Sequence, residues 1–418
     1  MEPRQQRGLE MAAKFKILKK DDGTWSVPSQ AGKGRYDIEM GEVPHCSCPD
    51  HESHGSKCKH IFAVEYVLER EQHEDGTETV TESLTVTETV KRSTYPQNWT
   101  AYNAAQTTEK AEFQRLLYAL CSGVEAPQQS NGRPRIPLSD AIFSVAFKVF
   151  STVSGRRFIS DLTDAQAKGY IGKVPHFNSI FNYLEMPELS PVLIELITES
   201  SLPLAAVESD FAVDSTGFGS SRFTTWYSTK YGDVRDQHDW VKTHICAGVR
   251  TNIVTAVTIS DRYAHDAPFF PQLVRKTAER FNVQEVSADK GYSSRANLKV
   301  VEEIGATPYI AFKKNAKPDH SHRNFRPQED TLWTRMYHLY SFNRGEFASH
   351  YHKRSNVEST FMAIKAKFGD SVRSKTFVAQ TNEVLCKVLC HNICCVIGSM
   401  HEMGIEPGFG NSAASRIA

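Results

Sequence analysis

The pattern of apolar and polar positions changes its period along the chain and so predicts where its elements lie. Residues 13–40 contain short apolar segments at 15–18 and 25–27, which flank Asp22-Gly23, a dipeptide typical of tight hairpin turns. A third short strand is expected at 36–38. From His60 to residue 67 the apolar positions follow helical spacing. This region therefore predicts a small β hairpin leading into a helix.

The next two regions differ in composition and in period. Residues 71–99 are rich in Thr and Glu and are expected to form a linker that is disordered or weakly extended, with an edge strand as the alternative. Residues 100–205 have apolar residues at helical spacing and predict a mostly helical region, for which DNA binding is a candidate role. One helix at 176–185 fits either the reading helix of a helix-turn-helix or a packing helix. We favour packing, because no base-reading side chains can be named.

From residue 206 to about residue 400 the pattern is that of an α/β domain. Three β-branched strand segments come first, and helix and strand segments then alternate up to a last signature helix at 354–368. This order predicts an α/β fold with a mixed sheet and flanking helices, preceded by the mostly helical region and the small β hairpin and helix. Residues 401–418 are expected to be a flexible tail.

Composition restricts the class of protein further. The chain has 418 residues, of which 40% are hydrophobic and 23% charged, as in ordinary soluble domains. We expect no membrane span and a cytoplasmic, nucleoid-associated location, because the N-terminal segment is polar and the nine cysteines do not form an even set. The formal net charge is zero, but residues 311–380 carry thirteen Lys/Arg against six Asp/Glu. A local positive surface of this kind suits nucleic acid, although solvated charge that cancels overall remains an alternative.

A compact group of metal-binding residue types follows the predicted hairpin. Cys46 and Cys48 are separated from Cys58 and His60 by nine residues, and three thiolates with one imidazole complete a tetrahedral zinc set. The hairpin, the Cys-x-Cys pair and the Cys-x-His pair at the start of an apolar helix resemble the SWIM zinc finger over residues 13–70. The resemblance implies one structural Zn²⁺ and a DNA or protein partner. The alternative is free cysteines with a chance histidine nearby.

Three widely spaced acids indicate a second metal site. Asp214 and Asp289 end apolar, β-branched segments, and Glu358 lies on the signature helix. If the fold brings the three together, they form an oxygen-lined site for hard divalent cations. Two such ions can drive in-line attack on a phosphodiester.

The sequence around Glu358 carries a longer signature. Tyr351, Arg354, Glu358 and Lys365 follow the spacing Y-x2-R-x3-E-x6-K, which places the last three on one helix face. Taken alone, this helix is also compatible with a salt-bridged surface helix. With the two upstream aspartates, the signature resembles the DDE transposases of bacterial insertion sequences, in the branch marked by YREK. The match extends over roughly residues 205–400.

The resemblance implies an RNase H-like catalytic domain and a function. Asp214, Asp289 and Glu358 would hold two Mg²⁺ or Mn²⁺ ions, and Tyr351, Arg354 and Lys365 would contact the transposon end. The enzyme would cleave double-stranded DNA at transposon ends and join the freed 3′ hydroxyl to target DNA, as a homodimer or larger assembly at synapsis. The short segment between the fifth strand and the signature implies that a large β insertion is missing. A catalytically silent zinc protein that binds DNA or protein, and a metal nuclease without strand transfer, remain the alternatives.

Further residues are candidates with a simpler interpretation beside the functional one. We expect four basic residues to meet DNA phosphates or to be merely solvated: Lys313, Lys314, Arg373 and Lys375. Asp266 is expected to act as a helix N-terminal cap or charge partner, and His244 as a packed histidine. Trp226 and Trp333 could stack on a base, but core packing is the favoured interpretation, as it is for Cys386, Cys390 and Cys394.

Overall fold

A computed structural model describes residues 3–29, 34–72, 78–82, 97–125, 135–220, 240–319 and 331–409. The chain divides into two compact units, Met1–Tyr95 and Pro96–Ala418. The first contains the expected zinc-binding region. The second contains the helical region and the α/β region together.

The first unit is a small antiparallel sheet with short helices. Its elements in chain order are α1 Pro3–Lys14, β1 Leu18–Lys19, β2 Trp25–Pro28, β3 Arg35–Glu39, β4 His45–Cys46, α2 Pro49–His54, α3 Lys59–Glu65, β5 Leu68–Gln72 and β6 Glu78–Glu82. Strands β1 to β4 form one sheet in sequence order, and β5 pairs with β6. Trp25, Val27, Ile38 and Ile61 are buried in its core.

Two features of this unit differ from the sequence expectation. Helix α1 was not predicted; it packs closely on α3 at Gly8, where an added Cβ would lie 2.6 Å from Phe62 Cβ. The region expected to be a linker contains part of the β5–β6 hairpin. The alternative prediction of an extended strand is therefore confirmed at residues 71–72 and 78–82. The rest of the linker up to residue 96 lies outside the described residues.

The second unit begins with five helices, as the apolar spacing predicts. They are α4 Trp99–Ser122, α5 Leu138–Ser151, α6 Gly155–Ala167, α7 Phe177–Leu184 and α8 Leu189–Ser201. Aromatic rings join them: Phe147 lies edge-on to Phe158 at 5.2 Å between ring centroids. Helix α7 buries Ile180 and Leu184 in this core, in keeping with the packing interpretation of that segment.

A mixed five-stranded sheet follows the helices. The remaining elements are β7 Asp210–Gly219, β8 Trp240–Gly248, β9 Val254–Ser260, α9 Phe270–Ala278, β10 Glu285–Ala288, α10 Arg295–Glu303, β11 Thr307–Ile310, α11 Leu332–Phe342, α12 Arg344–Tyr351, α13 Ser355–Phe368 and α14 Phe377–Met403. The strand order is β11-β10-β7-β8-β9. Strands β7, β10 and β11 are parallel, whereas β7, β8 and β9 are antiparallel neighbours. This is the RNase H-like mixed sheet expected from the sequence.

Helices cover both faces of this sheet because its strands alternate two apolar faces. Ala212 and Phe218 of β7 belong to the core that includes α4–α8, α13 and α14, whereas Phe211 and Val213 face α9–α12. The helical region and one face of the sheet therefore share one hydrophobic core. Between β11 and the signature, the described residues form α11 and α12 and contain no strand, and residues 320–330 lie outside the description.

Helix α14 is the longest element of the unit and its central support. By length and composition alone it could cross a membrane, yet 72% of its most apolar 18-residue stretch is buried inside the fold. Its Asn392 side chain is fully buried and bonds to Ile197 O, Ser200 Oγ and both backbone groups of Val254. Cys386 and Cys390 are buried on the same helix and Cys394 is half-buried, which confirms their interpretation as small core residues. Helix α14 is therefore the core helix that joins α8 to the sheet.

Candidate active site and metal centre

The first two acids are neighbours because two parallel strands are in register. Val213 of β7 is the partner of Ala288 of β10, so Asp214 and Asp289 each come next along adjacent strands. Asp214 accepts a hydrogen bond of 2.8 Å from the Ser215 N–H. Asp289 accepts one of 2.5 Å from the Lys290 N–H, at the start of a short 3₁₀ turn. These bonds fix both carboxylates at the level where β10 ends, although Asp214 lies within β7, which continues to Gly219, and not at its end as the sequence suggested.

The third acid reaches this level of the sheet from the signature helix. Arg354 Nη2 lies 2.7 Å from Glu358 Oε1, one helical turn away, and Arg354 Nη1 lies 3.8 Å from Asp214 Oδ2. One guanidinium thus bridges the strand acid and the helix acid. The Glu358 side chain is 54% exposed and that of Asp214 22%, so the pair opens to solvent on one side.

The electrostatics of the three acids suit a bound cation. Burial raises the pKa of Asp214 above its usual value, and the charges of Asp289 and Glu358 raise it further. The Ser215 N–H and Arg354 oppose this rise. A single guanidinium cannot neutralise three carboxylates, and carboxylates are the ligands that divalent cations prefer, but within the described residues the three acids do not meet in a closed ligand cluster.

An open cleft of about 720 Å³ lies beside Asp214 and Glu358. Lys365, the last signature residue, lines it and donates a 2.6 Å hydrogen bond to Thr216 Oγ1. Asp214 and Thr216 are two residues apart on β7 and therefore face the same helix, α13. Burial lowers the pKa of Lys365, although Asp370 opposes the shift. The cleft thus has acids at one end and a partly buried lysine at the other.

A fourth acid, Asp266, lies against the opposite face of β7, at the helix N-terminal position expected from the sequence but without the expected side-chain cap. Asp266 makes no side-chain capping bond to the turn that follows it. Its carboxylate instead accepts 2.7 Å contacts from Ser215 Oγ and from Lys242 Nζ. Although burial favours the neutral form, Lys242 and Ser215 lower the pKa of Asp266. Asp266 therefore supports the strand that carries Asp214.

His244 is packed, as expected from the sequence. Its side chain is fully buried and stacks on Phe269 with ring centroids 4.2 Å apart, and Nε2 lies 2.9 Å from Ser260 Oγ. Burial lowers the pKa of His244 to about 4, although the nearby Asp266 carboxylate opposes the shift. The imidazole is therefore neutral at physiological pH.

A lysine that sequence reasoning missed holds the signature segment in place. Lys353 Nζ lies 2.7 Å from Asp210 Oδ2 and 2.7 Å from Glu285 Oε2, at the starts of β7 and β10. His350 Nδ1 lies 2.8 Å from the other Glu285 oxygen. Because Arg354 is the next residue, this anchor sets where the guanidinium meets the acids. The only sign of this role in the sequence was that Lys353 lies among the charged residues of the signature.

The remaining sequence candidates fall into different surroundings. Tyr351 ends α12, with the Arg354 guanidinium 5.9 Å from its ring. Lys313 and Lys314 are exposed just after β11, at the same sheet edge as Asp289. Trp333 is buried and bonds to Lys317 O, so the core interpretation is confirmed, whereas Trp226 lies outside the described residues.

The four zinc candidates come together in the first unit. The ligand atoms of Cys46, Cys48, Cys58 and His60 all lie within 4.8 Å of one another, and the four residues are buried. His60 Nδ1 is 3.9 Å from Cys46 Sγ and 3.8 Å from Cys58 Sγ. The Cys46 thiol lowers the pKa of Cys58 to about 3, whereas the pKa values of Cys46 and Cys48 are raised. Three buried sulfurs around one imidazole fit a tetrahedral zinc ion, which would neutralise the thiolates.

Acids contributed by two adjacent strands and a covering helix are the kind of donor set that metal-dependent phosphodiester chemistry uses. Residues 205–393 match the family model described as a transposase DDE domain, and this match supports a DDE transposase. The matched segment contains the sheet and all three acids. A comparison of the chain with curated proteins found no match.

Proposed function

We propose that the protein is a DNA transposase that cleaves transposon ends and joins the freed 3′ hydroxyl to target DNA. The observation that carries this proposal is that Asp214 follows a residue paired with the one before Asp289, while Arg354 bridges Asp214 and Glu358. The match of residues 205–393 supports the same assignment.

The catalytic acids would hold two Mg²⁺ or Mn²⁺ ions. Such ions supply activation of the attacking oxygen and stabilisation of the leaving 3′ oxygen. Asp214 and Asp289 are fixed by backbone N–H groups, so they present their oxygens without further ordering. Glu358 is held only by Arg354 among the described residues, and its exposed carboxylate is free to turn towards the cleft.

The cationic residues of the signature would position DNA beside the acids. Lys365 faces the cleft, and Arg354 offers a planar fork that suits a phosphate. When a phosphate engages Arg354, Glu358 loses its partner and becomes available as a ligand. Tyr351, Lys313, Lys314, Arg373 and Lys375 would complete the contacts to backbone phosphates. The YREK branch of bacterial insertion sequences fits this signature.

The first unit would be a SWIM-type zinc module with one structural Zn²⁺ held by Cys46, Cys48, Cys58 and His60. A metal at the centre of so small a core would stabilise the module's fold. The module would bind DNA or protein. We further propose that the transposase acts as a homodimer or larger assembly in the cytoplasm, associated with the nucleoid.

A test uses purified protein, Mg²⁺ or Mn²⁺ and a fluorescent duplex that carries the inverted repeats flanking the coding region. Cleavage with joining is expected, and Asp289→Asn or Glu358→Gln should lower both by about 100-fold or more, since even outer-shell changes in metal sites cost about 10–100-fold. Glu302→Gln is the matched control, because Glu302 is an exposed acid paired with Arg335 on the protein surface. Cleavage without joining would identify a nuclease, and binding alone a silent DNA-binding protein. Full activity of Glu358→Gln would refute the site.

A further inference from the structure

A second cavity lies on the other side of the segment that follows α13. Its volume is about 290 Å³, near the lower end of ligand pockets. Helices α5 and α7 of the helical region form one wall, and the segment from Phe368 to Lys375 with α14 forms the other. Gly369 lines both this cavity and the acidic cleft, so the two are adjacent.

Lys148 is the unusual residue of this cavity. Its side chain is 8% exposed, and it lines the pocket near the end of α5. Within the described ranges, its ammonium forms no hydrogen bond or ion pair, and it keeps access to the cavity that it lines. Burial lowers the pKa of Lys148, and the charge of Arg373 lowers it further, while Glu383 opposes the shift. A buried ammonium without a partner is unfavourable, so an anion in the pocket would stabilise it.

The acid nearest to Lys148 is already engaged. The Glu383 carboxylate accepts hydrogen bonds from the Arg373 and Ser374 N–H groups at 2.9–3.0 Å and from Ser374 Oγ at 2.7 Å. Lys387 is nearly fully buried and donates to Gly369 O and Ser371 O. These bonds order the far wall. Arg373 Nη1 donates to Thr152 O at 3.4 Å, and the other guanidinium N–H groups and the Lys148 ammonium are left to a ligand.

The rest of the lining is apolar and aromatic. Phe181 of α7 is 44% exposed and lines the pocket, together with Leu184 and Phe368. A ligand that satisfies both parts needs an anionic group and a flat apolar body. A mononucleotide unit has this combination, since its phosphate is an anion and its base stacks on aromatic rings.

We propose that this pocket binds a single nucleotide, with its phosphate on Lys148 and Arg373 and its base against Phe181 and Leu184. A free nucleotide and an unpaired nucleotide of DNA present the same chemistry. The interpretation that the nucleotide belongs to DNA rests on the proposed function. Gly369 lines both the acidic cleft and this pocket, so DNA bound in the cleft would pass next to the pocket.

Isothermal titration of the full-length chain with dAMP, deoxyadenosine and inorganic phosphate tests the pocket. We expect dAMP to bind at least tenfold more tightly than either half. Lys148→Met should weaken dAMP at least tenfold, whereas Phe181→Ala should weaken dAMP and deoxyadenosine but leave phosphate unchanged. Lys110→Met is the matched control, because Lys110 pairs with Asp161 at the surface. Circular dichroism checks that each variant is folded. Equal dAMP affinity in the wild type, Lys148→Met and Phe181→Ala would overturn the proposal, as would the absence of saturable dAMP binding.

A second experiment distinguishes a free nucleotide from a nucleotide of DNA. It compares a duplex that contains one unpaired 2-aminopurine nucleotide with a duplex in which the same base is paired. Competition of the unpaired form with dAMP, lost in Lys148→Met, supports a DNA nucleotide. Binding of dAMP without such competition supports a free nucleotide. Asp289→Asn should bind dAMP like the wild type. DNA cleavage without any nucleotide binding would therefore refute this inference alone, and nucleotide binding without cleavage would refute the proposed transposase alone.

Discussion

Asn392 offers a direct test of whether the helical region and the sheet form one folding unit. Its amide donates to Ile197 O at 3.1 Å, to Ser200 Oγ at 3.0 Å and to Val254 O at 2.7 Å, and it accepts from the Val254 N–H at 2.9 Å. Asn392→Ala removes all four bonds at a site without solvent. The Val254 N–H is then orphaned, and a buried orphan donor costs about 1–3 kcal/mol.

The expected loss follows from these contacts. Each lost hydrogen bond that leaves no unpaired donor costs about 1 kcal/mol, and relaxation of the surrounding structure offsets part of the total. The free energy of unfolding should therefore fall by about 3–4 kcal/mol. For a unit of this size, with an unfolding entropy of about 2.1 cal/mol/K per residue, that corresponds to a decrease in Tm of about 4–6 °C. Asn356→Ala is the control, because Asn356 is half-buried and donates one bond of 2.9 Å to Val249 O. Its loss should be about 1 kcal/mol.

The assay combines thermal unfolding by circular dichroism with hydrogen exchange of α8 and β9. In the wild type, amides of both elements should exchange at the same free energy, and Asn392→Ala should lower both together. An effect no larger than that of Asn356→Ala would refute the reasoning about Asn392. Separate unfolding of α8 and β9 in the wild type would refute the shared core.

Three further predictions concern metal, pH and the anchor of the signature. Purified protein should contain one zinc ion per chain, and Cys58→Ser should lose it. Cys121→Ser changes a buried cysteine of the other unit and should retain the zinc, so equal zinc contents in the two variants would disprove the zinc site. Burial lowers the pKa of His391 to about 4 in the folded protein. The unfolded chain binds a proton at this histidine near pH 6.5, so the free energy of unfolding should fall as the pH drops from about 6.5 to about 4. His391→Gln should flatten that pH dependence in denaturant titrations, and an unchanged slope would contradict it. Lys353→Met removes the cation shared by Asp210 and Glu285, although Glu285 keeps His350, and should destabilise the protein by about 2 kcal/mol. The loss is measured in urea against Lys110→Met, and a loss equal to that of the control would count against the anchor.

Much of the fold was predictable from local pattern. The strands of the mixed sheet carry β-branched residues on two buried faces, and the helices show regular apolar spacing, so both periods are visible in the sequence. Helix α1 was missed because its segment is polar and its support comes from close packing of Gly8 on α3. The capping bond expected of Asp266 is absent because Lys242 and Ser215 engage its carboxylate from two strands.

The sequence by itself determined the features whose partners are close along the chain. Cys58 and His60 flank one residue at a helix start, and Arg354 and Glu358 are one helical turn apart, so backbone geometry alone brings each pair together. Only the tertiary structure decided that Asp214 and Asp289 are neighbours, because this depends on the register of two strands separated by a long stretch of chain. The same holds for Lys148 and Arg373. Their pocket exists because α5 and the segment after α13 pack in one core, and no local period encodes that contact.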